Sequence, residues 1–236
     1  MTVQRSPEKR EPVLAFDCAG SACSAALVAG AEVLAHRREN RSRGQAERLL
    51  PLLEETLAAA GLAWRDVRRL AVTRGPGSFT GVRIGLATAR ALALASGCPL
   101  FALDGFSLYS AMVRERMSVE EQQGRPLLVA IDARRSDLFV QAFDAHGQPL
   151  EEACSLLPEA VAEKLAQGRW LLAGDGAAQV EPYLAGMEVE LVRECTVADS
   201  RTLARWAAKQ PLSERPPPPA PLYLRPPDVT LAKVKR

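Results

Sequence analysis

With 236 residues, 47% of them hydrophobic and 25% charged, the chain has the make-up of a globular protein. At this length it buries its own core without disulfide or metal staples. Thirty Lys and Arg against 28 Asp and Glu leave a net charge of +2, too little to argue for a coat on nucleic acid or another polyanion. The balance is uneven: the first hundred residues hold 14 basic and 9 acidic side chains, so this half is the one expected to meet an anion.

The apolar run 13–17 (VLAFD) reads as a strand ending in Asp17, and 23–29 (CSAALVA) as a second strand. Gly30 makes the turn into a third at 32–36. Leucines at 49, 50, 52, 53 and 57 give residues 45–60 a helical pattern, closed by Gly61. Pro51 inside it predicts a kink or a late start. A strand at 70–73, a turn at 75–77, a long helix at 80–96 closed by Gly97 and a strand at 100–103 follow.

The second half repeats this grammar. Residues 127–132 (LLVAID) form an apolar strand that again ends in aspartate, Asp132. Residues 138–143 alternate, Gly147 turns, and a third strand follows. A helix at 158–166, a strand at 170–173, a short helix at 177–184 and a strand at 189–192 come next. A last helix at 199–209 is capped by Asp199 or Ser200. Asp17 matches Asp132 and Gly30 matches Gly147, at separations of 115 and 117 residues. A pattern written twice predicts two similar α/β subdomains with mixed sheets, the plan of the actin-like fold of sugar kinases and Hsp70.

Other classes are excluded. Five cysteines, none spaced as CxxC, make no disulfide framework and fit a reducing cytosol as small buried hydrophobes. His36 and His146 form no HExxH or HxxxH pair, so a zinc metalloprotease has no ligands, and no nucleophile set marks a peptidase. The most apolar stretch, 91–103, is short and broken by Ser96, Gly97 and Pro99, so no membrane span or signal peptide is expected. Residues 1–12 read as a disordered tail, the Pro run at 216–219 as an extended connector, and 233–236 as a basic tail.

The sharpest motif is Gly75-Pro76-Gly77-Ser78-Phe79-Thr80-Gly81 at a strand-to-helix junction. It reads either as an anion cradle or as a tight turn capped by Ser78 or Thr80. It is neither a P-loop nor a dinucleotide fingerprint, because the Lys and the glycine spacing are wrong. Behind it Gly81, Gly85, Ala89 and Ala93 recur every four residues as a ridge of small side chains. A glycine inside a helix costs about 1 kcal/mol, so a second backbone is expected against this ridge, from a sister helix or from a partner. The stripe Leu49, Leu53, Leu57 on the preceding helix, with leucines on more than one face, points to an exposed apolar surface. Asp17 and Asp132 stand where an actin-like kinase holds Mg²⁺ and nucleotide phosphate. No Gly-Gly loop follows Asp132, and Gly174-Asp175-Gly176 is the one candidate for an adenosine pocket, so the two aspartates read as a vestigial phosphate site. The basic groups at 36–43 and Arg65, Arg68, Arg69, Arg74 read as solvated, with no interleaved aromatics for RNA bases.

At GPGSFTGVRIG the chain resembles the TsaB (YeaZ) family, accessory proteins of bacterial tRNA threonylcarbamoyladenosine synthesis. The resemblance runs from about residue 13 to 231 and takes in LAFDCAGSACSAAL, ERLLP, IDARRSDLFVQAF and YLRP. It implies an actin-like (ASKHA) fold of two ribonuclease-H-like subdomains, at 13–105 and 106–212, with a Pro-rich segment at 213–236. It implies a non-catalytic cytoplasmic platform whose two long helices pack on the catalytic paralogue TsaD or on a second copy of itself. The ATPase TsaE is the third protein, tRNA is met through the complex, and the chain forms a homodimer when alone. ATP and metal then belong to the partner subunits, and no cofactor binds this chain tightly. TsaD carries a metal-binding HxxxH pair where this chain has Asp104–Tyr109 without histidine. Gln45 departs from the histidine that commonly precedes the ERLLP run. The competing reading is an ATP-dependent kinase or ATPase of the same fold.

Overall fold

A computed structural model describes residues 11–41, 43–211 and 216–225. The expected tails at 1–12 and 233–236 lie outside the described residues except for Glu11 and Pro12, and Pro12 already opens a strand; the Pro-rich segment is described only at 216–225. The first half runs β1 (Pro12–Asp17), β2 (Ala22–Ala29), β3 (Glu32–Asn40), α1 (Gln45–Ala59), β4 (Arg69–Thr73), α2 (Phe79–Ser96) and β5 (Leu100–Leu103). Two helices follow, α3 (Gly105–Arg116) and the single turn α4 (Val119–Gln122). The second half runs β6 (Leu127–Asp132), β7 (Leu138–Phe143), β8 (Cys154–Leu156), α5 (Pro158–Leu165), β9 (Trp170–Ala173), α6 (Ala177–Val180), β10 (Val189–Leu191) and α7 (Ser200–Ala208).

The doubled grammar becomes doubled topology. The sheets are ordered β3-β2-β1-β4-β5 and β8-β7-β6-β9-β10. In each, the first three strands are antiparallel and the last two run parallel to the first. This is the actin-like pair of mixed-sheet α/β subdomains. The central strands are apolar throughout because both of their faces are covered. In β1, Val13 and Ala15 face the space between the sheets, while Leu14 and Phe16 face α1 and α2. In β6, Leu127, Val129 and Ile131 face inward, and Leu128 and Ala130 face α5 and α6.

The helix between β5 and β6 has no counterpart in the pattern read from the sequence. In α3, Phe106, Leu108, Tyr109, Met112 and Val113 are buried, and Arg114 and Glu115 are exposed. Its cap was legible: Asp104 accepts from the Ser107 amide at 2.9 Å. α3 packs on β6, β7 and β9, and α7 packs on β1, β2 and β4. Thus α7, last in the chain, lies on the first sheet, and the two helices fill the middle layer together. Pro51 sits on the exposed side of an unbroken α1, which starts at Gln45 and not late.

The start of α2 is seated on the turn that joins β1 to β2. The Ser78 amide donates to the Ala19 carbonyl at 2.8 Å, and Ser78 Oγ caps the helix by accepting from Gly81 N. A Cβ on Gly81 would stand 2.1 Å from the Cys18 carbonyl oxygen, and one on Gly77 2.5 Å from that of Ala19. Further along the same face, Gly85 meets Cys18 Sγ and Val72, and Ala89 is fully buried. The expected outward ridge is therefore corrected: its close partner is this chain's own sheet. Added bulk overfills such a site at a cost of about 1–3 kcal/mol. Ala89→Leu should lower the thermal midpoint by about 2–12 °C in a scanning melt, and an unchanged midpoint would contradict this packing.

Candidate functional site

Asp17 and Asp132 end the two central strands, and both stand near enough to Asp175 for their charges to act on it. Asp17 is buried. It accepts from Thr73 Oγ1 and, at 3.3 Å, from the Ala19 amide. Burial pushes its carboxyl above the ordinary range, opposed by those hydrogen bonds. Asp132 stays on the rim. It accepts from the Arg134 amide at 2.7 Å and pairs with the Arg134 guanidinium at 3.1 Å.

The third carboxylate is Asp175, which sequence reading passed over as part of a possible adenosine pocket. Gly174 and Gly176 press on β6: a Cβ on Gly174 would lie 2.0 Å from the Ala130 carbonyl oxygen, and one on Gly176 2.7 Å from the Leu138 side chain. That approach aims Asp175 into the cleft. It accepts from the Asp132 amide at 3.0 Å and pairs with Arg134 at 3.3 Å. Burial raises its pKa to about 6, against the pull of the Asp132 amide and Arg134. Tyr109 of α3 lines the same cavity, and its hydroxyl is pushed well up by burial and by the charges of Asp175 and Asp17. Arg134 holds a left-handed backbone conformation, φ 61°, which points its guanidinium back onto the two carboxylates. The space enclosed by Asp17, Gly20, Tyr109 and Asp175 is about 20 Å³, room for one water.

The signature turn is held by three distant segments. Gly75 O accepts from the Gly105 amide, Arg74 O from the Leu222 amide at 2.7 Å, and Ala19 O from Ser78. Pro76 follows Gly75 through a cis peptide bond. Gly75 and Pro76 are buried, while Phe79 and Thr80 emerge at the surface.

The stripe of Leu49, Leu53 and Leu57 faces inward, each residue at most 3% exposed within the core under the first sheet. The expected exposed apolar stripe is corrected accordingly. What α1 and α2 show outward is Leu50, at 44% exposure, and Leu94, at 88%. Leu50 borders a groove of about 760 Å³ with Trp64, Leu92 and Pro99. Ala93 of α2 is half-buried and does not border this groove. Of the basic group, Arg69 is structural: it is buried and donates to the Ala207 and Gln210 carbonyls. Cys18, Cys23 and Cys195 are buried and all five thiols are free. Among the described residues, no group of three or more His, Cys, Asp or Glu is placed to hold a metal ion, and no helix is long and apolar enough to cross a membrane.

The buried carboxylates give a signed pH dependence. A folded-state pKa raised to about 6 from 3.8 means that the folded protein binds the proton that the unfolded chain has released. Stability contributed by protonated Asp175 is full below about pH 4 and is lost as pH rises to about 6. Asp175→Asn should flatten the fall in melting temperature across this window, by an amount worth at most about 3 kcal/mol. Melts at constant ionic strength would count against the assignment if the variant's profile matched the parent's.

The family model described as TsaD, tRNA N6-adenosine threonylcarbamoyltransferase, matches residues 32–198. The Escherichia coli (strain K12) protein named tRNA threonylcarbamoyladenosine biosynthesis protein TsaB is 34% identical over 172 residues, 70% of this chain and 71% of that protein. The solved structure of YeaZ from Pseudomonas aeruginosa superposes with a TM-score of 0.67 at 28% identity, covering 84% of this chain and 91% of that one. Component A of Acidaminococcus fermentans (R)-2-hydroxyglutaryl-CoA dehydratase superposes at 0.54 with 11% identity over 84% of this chain and 98% of that one, a likeness of fold alone.

Proposed function

Because the chain belongs to the TsaB family, within the wider group that the TsaD model describes, we propose that it is a non-catalytic cytoplasmic subunit of the machinery that installs threonylcarbamoyl on tRNA adenosine. In this reading it activates TsaD together with the ATPase TsaE. The observation that carries the reading is the state of the cleft. Where an actin-like ATPase needs room for nucleotide phosphates and Mg²⁺, about 20 Å³ is enclosed. The guanidinium of Arg134 sits on Asp132 and Asp175, so an internal cation occupies the carboxylates that a metal would use. The negative charge that would draw Mg²⁺ is already compensated. The partner's contact belongs to the outward faces of α1 and α2, around Leu50, and not to the buried ridge and stripe. In this reading TsaD docks on that surface, and a second copy of the chain does so when TsaD is absent. Transfer chemistry, ATP turnover and metal reside in the partners.

The purified chain should not turn over ATP alone and should restore threonylcarbamoylation when added to TsaD, TsaE, tRNA and their substrates. Mg²⁺-dependent ATP hydrolysis by the chain alone, lost in Asp17→Asn, would replace this reading with an ATPase.

The helix pair has its own test. Leu50→Glu places a charge on the apolar groove without touching the core. It should melt like the parent while binding TsaD about tenfold or more weakly, a change of ~1.4 kcal/mol. Equal affinity in a titration calorimeter would move the contact elsewhere.

A further inference from the structure

A second concavity adjoins the cleft across Pro76 and Arg134, and the proposed scaffold role makes no use of it. The signature turn, the loop after β6 and the segment 222–225 converge around a pocket of about 470 Å³. Four arginines border it, Arg83, Arg134, Arg135 and Arg225, and among the described residues no carboxylate side chain lines it. The carboxylates that orient two of these arginines, Asp132 and Asp175 for Arg134 and Asp137 for Arg225, lie behind them.

Two aromatic rings stand at the same mouth. Phe79 and Tyr223 are 45% and 41% exposed, with ring centroids 5.6 Å apart and planes tilted by 34°. Arg83 lies with its guanidinium carbon 3.5 Å from the Phe79 centroid, and its Nε donates to the Tyr223 hydroxyl at 3.0 Å. The fold does not need Phe79 in this place. The turn's glycines and Ser78 explain the docking of α2, yet Phe79 points outward. Exposed ring faces and guanidinium planes are stacking surfaces for flat bases, and guanidinium groups at the rim suit phosphate oxygens. An acidic peptide would use the charge and leave the rings idle.

We propose that this pocket seats one unstacked nucleotide of a single-stranded RNA segment, with its base on Phe79 and Tyr223 and its phosphates on the surrounding arginines. The proposal deepens the tRNA-linked function and rests on it only for the identity of the RNA in the cell.

The test is fluorescence anisotropy of a dye-labelled single-stranded octaribonucleotide with the full chain, at about 50 mM and about 200 mM salt. Saturable, salt-weakened binding is expected. Phe79→Ala and Tyr223→Ala should each weaken it by about 5- to 100-fold, the range for loss of one stacked base, while melting like the parent. Tyr223→Phe keeps the ring and should keep most of the affinity. Arg83→Gln should reduce the salt slope by roughly 0.7, whereas Arg65→Gln, on the opposite groove, should change affinity by less than about twofold. The proposal falls if the parent does not bind, or if the ring variants bind as well as the parent. It falls too if ADP or polyglutamate displaces the oligonucleotide at equal concentration. A chain that binds RNA through these residues but fails to restore threonylcarbamoylation sinks the scaffold function and leaves the site standing. Restoration by a parent whose ring variants bind RNA normally does the reverse.

Discussion

The carbonyl oxygens of Cys18 and Ala19 sit so close to the first turn of α2 that nothing larger than a hydrogen atom fits at positions 77 and 81. This approach brings together three consequences. It fixes α2 on the outer face of the first sheet. It lets the Ser78 amide bond to the β1–β2 turn, which ties the start of α2 to that distant segment. It also turns Phe79 and Arg83 outward, because the opposite face of the helix is committed to the sheet. Glycines that look costly inside a helix are the condition for the contact. They spend helix propensity on backbone proximity that no side chain would permit.

The cleft shows charge managed by the fold itself. Asp17 and Asp175 line one small cavity, and Asp132 stands near enough to act on Asp175, in a setting where like charges repel and burial penalises the charged form. The structure relieves them by different means. Thr73 and backbone amides hold Asp17, whereas Arg134 neutralises Asp132 and Asp175 from outside. The arginine reaches them only because its backbone turns left-handed, in a position where a flexible phosphate loop would carry glycine. The result is a cleft that is polar at its walls, compensated in charge and nearly full.

On the far side of the same turn arginines gather around a pocket. Arg83, Arg134, Arg135 and Arg225 come from three separate stretches of chain and border one hollow beside two exposed rings. The first-half excess of basic residues contributes only Arg83 to it. The more obvious cluster at 65–74 is split, since Arg69 is consumed in tying β4 to the end of α7. Local charge density along the chain was a poor guide to charge density in space.

The sequence by itself determined the doubled order of elements, the two mixed sheets and the strand-end positions of Asp17 and Asp132, because hydrophobic periodicity and glycine punctuation are local signals. It also marked the turn at 75–81 as special. It did not reveal α3 or the crossing of α7 onto the first sheet, which packing between the two sheets decides. It misplaced the leucine stripe and the small-residue ridge, because a helical wheel shows which residues share a face but not what covers that face. Asp175 and Arg134 were equally hidden: their roles arise from contacts across 41 residues and between two loops. Only the packing of the two sheets about α3 and α7 decided which apolar surface is core, which carboxylates pair with arginine and which arginines border the pocket. Burial and electrostatic pairing are properties of distance in space, and the chain order carries no record of that distance.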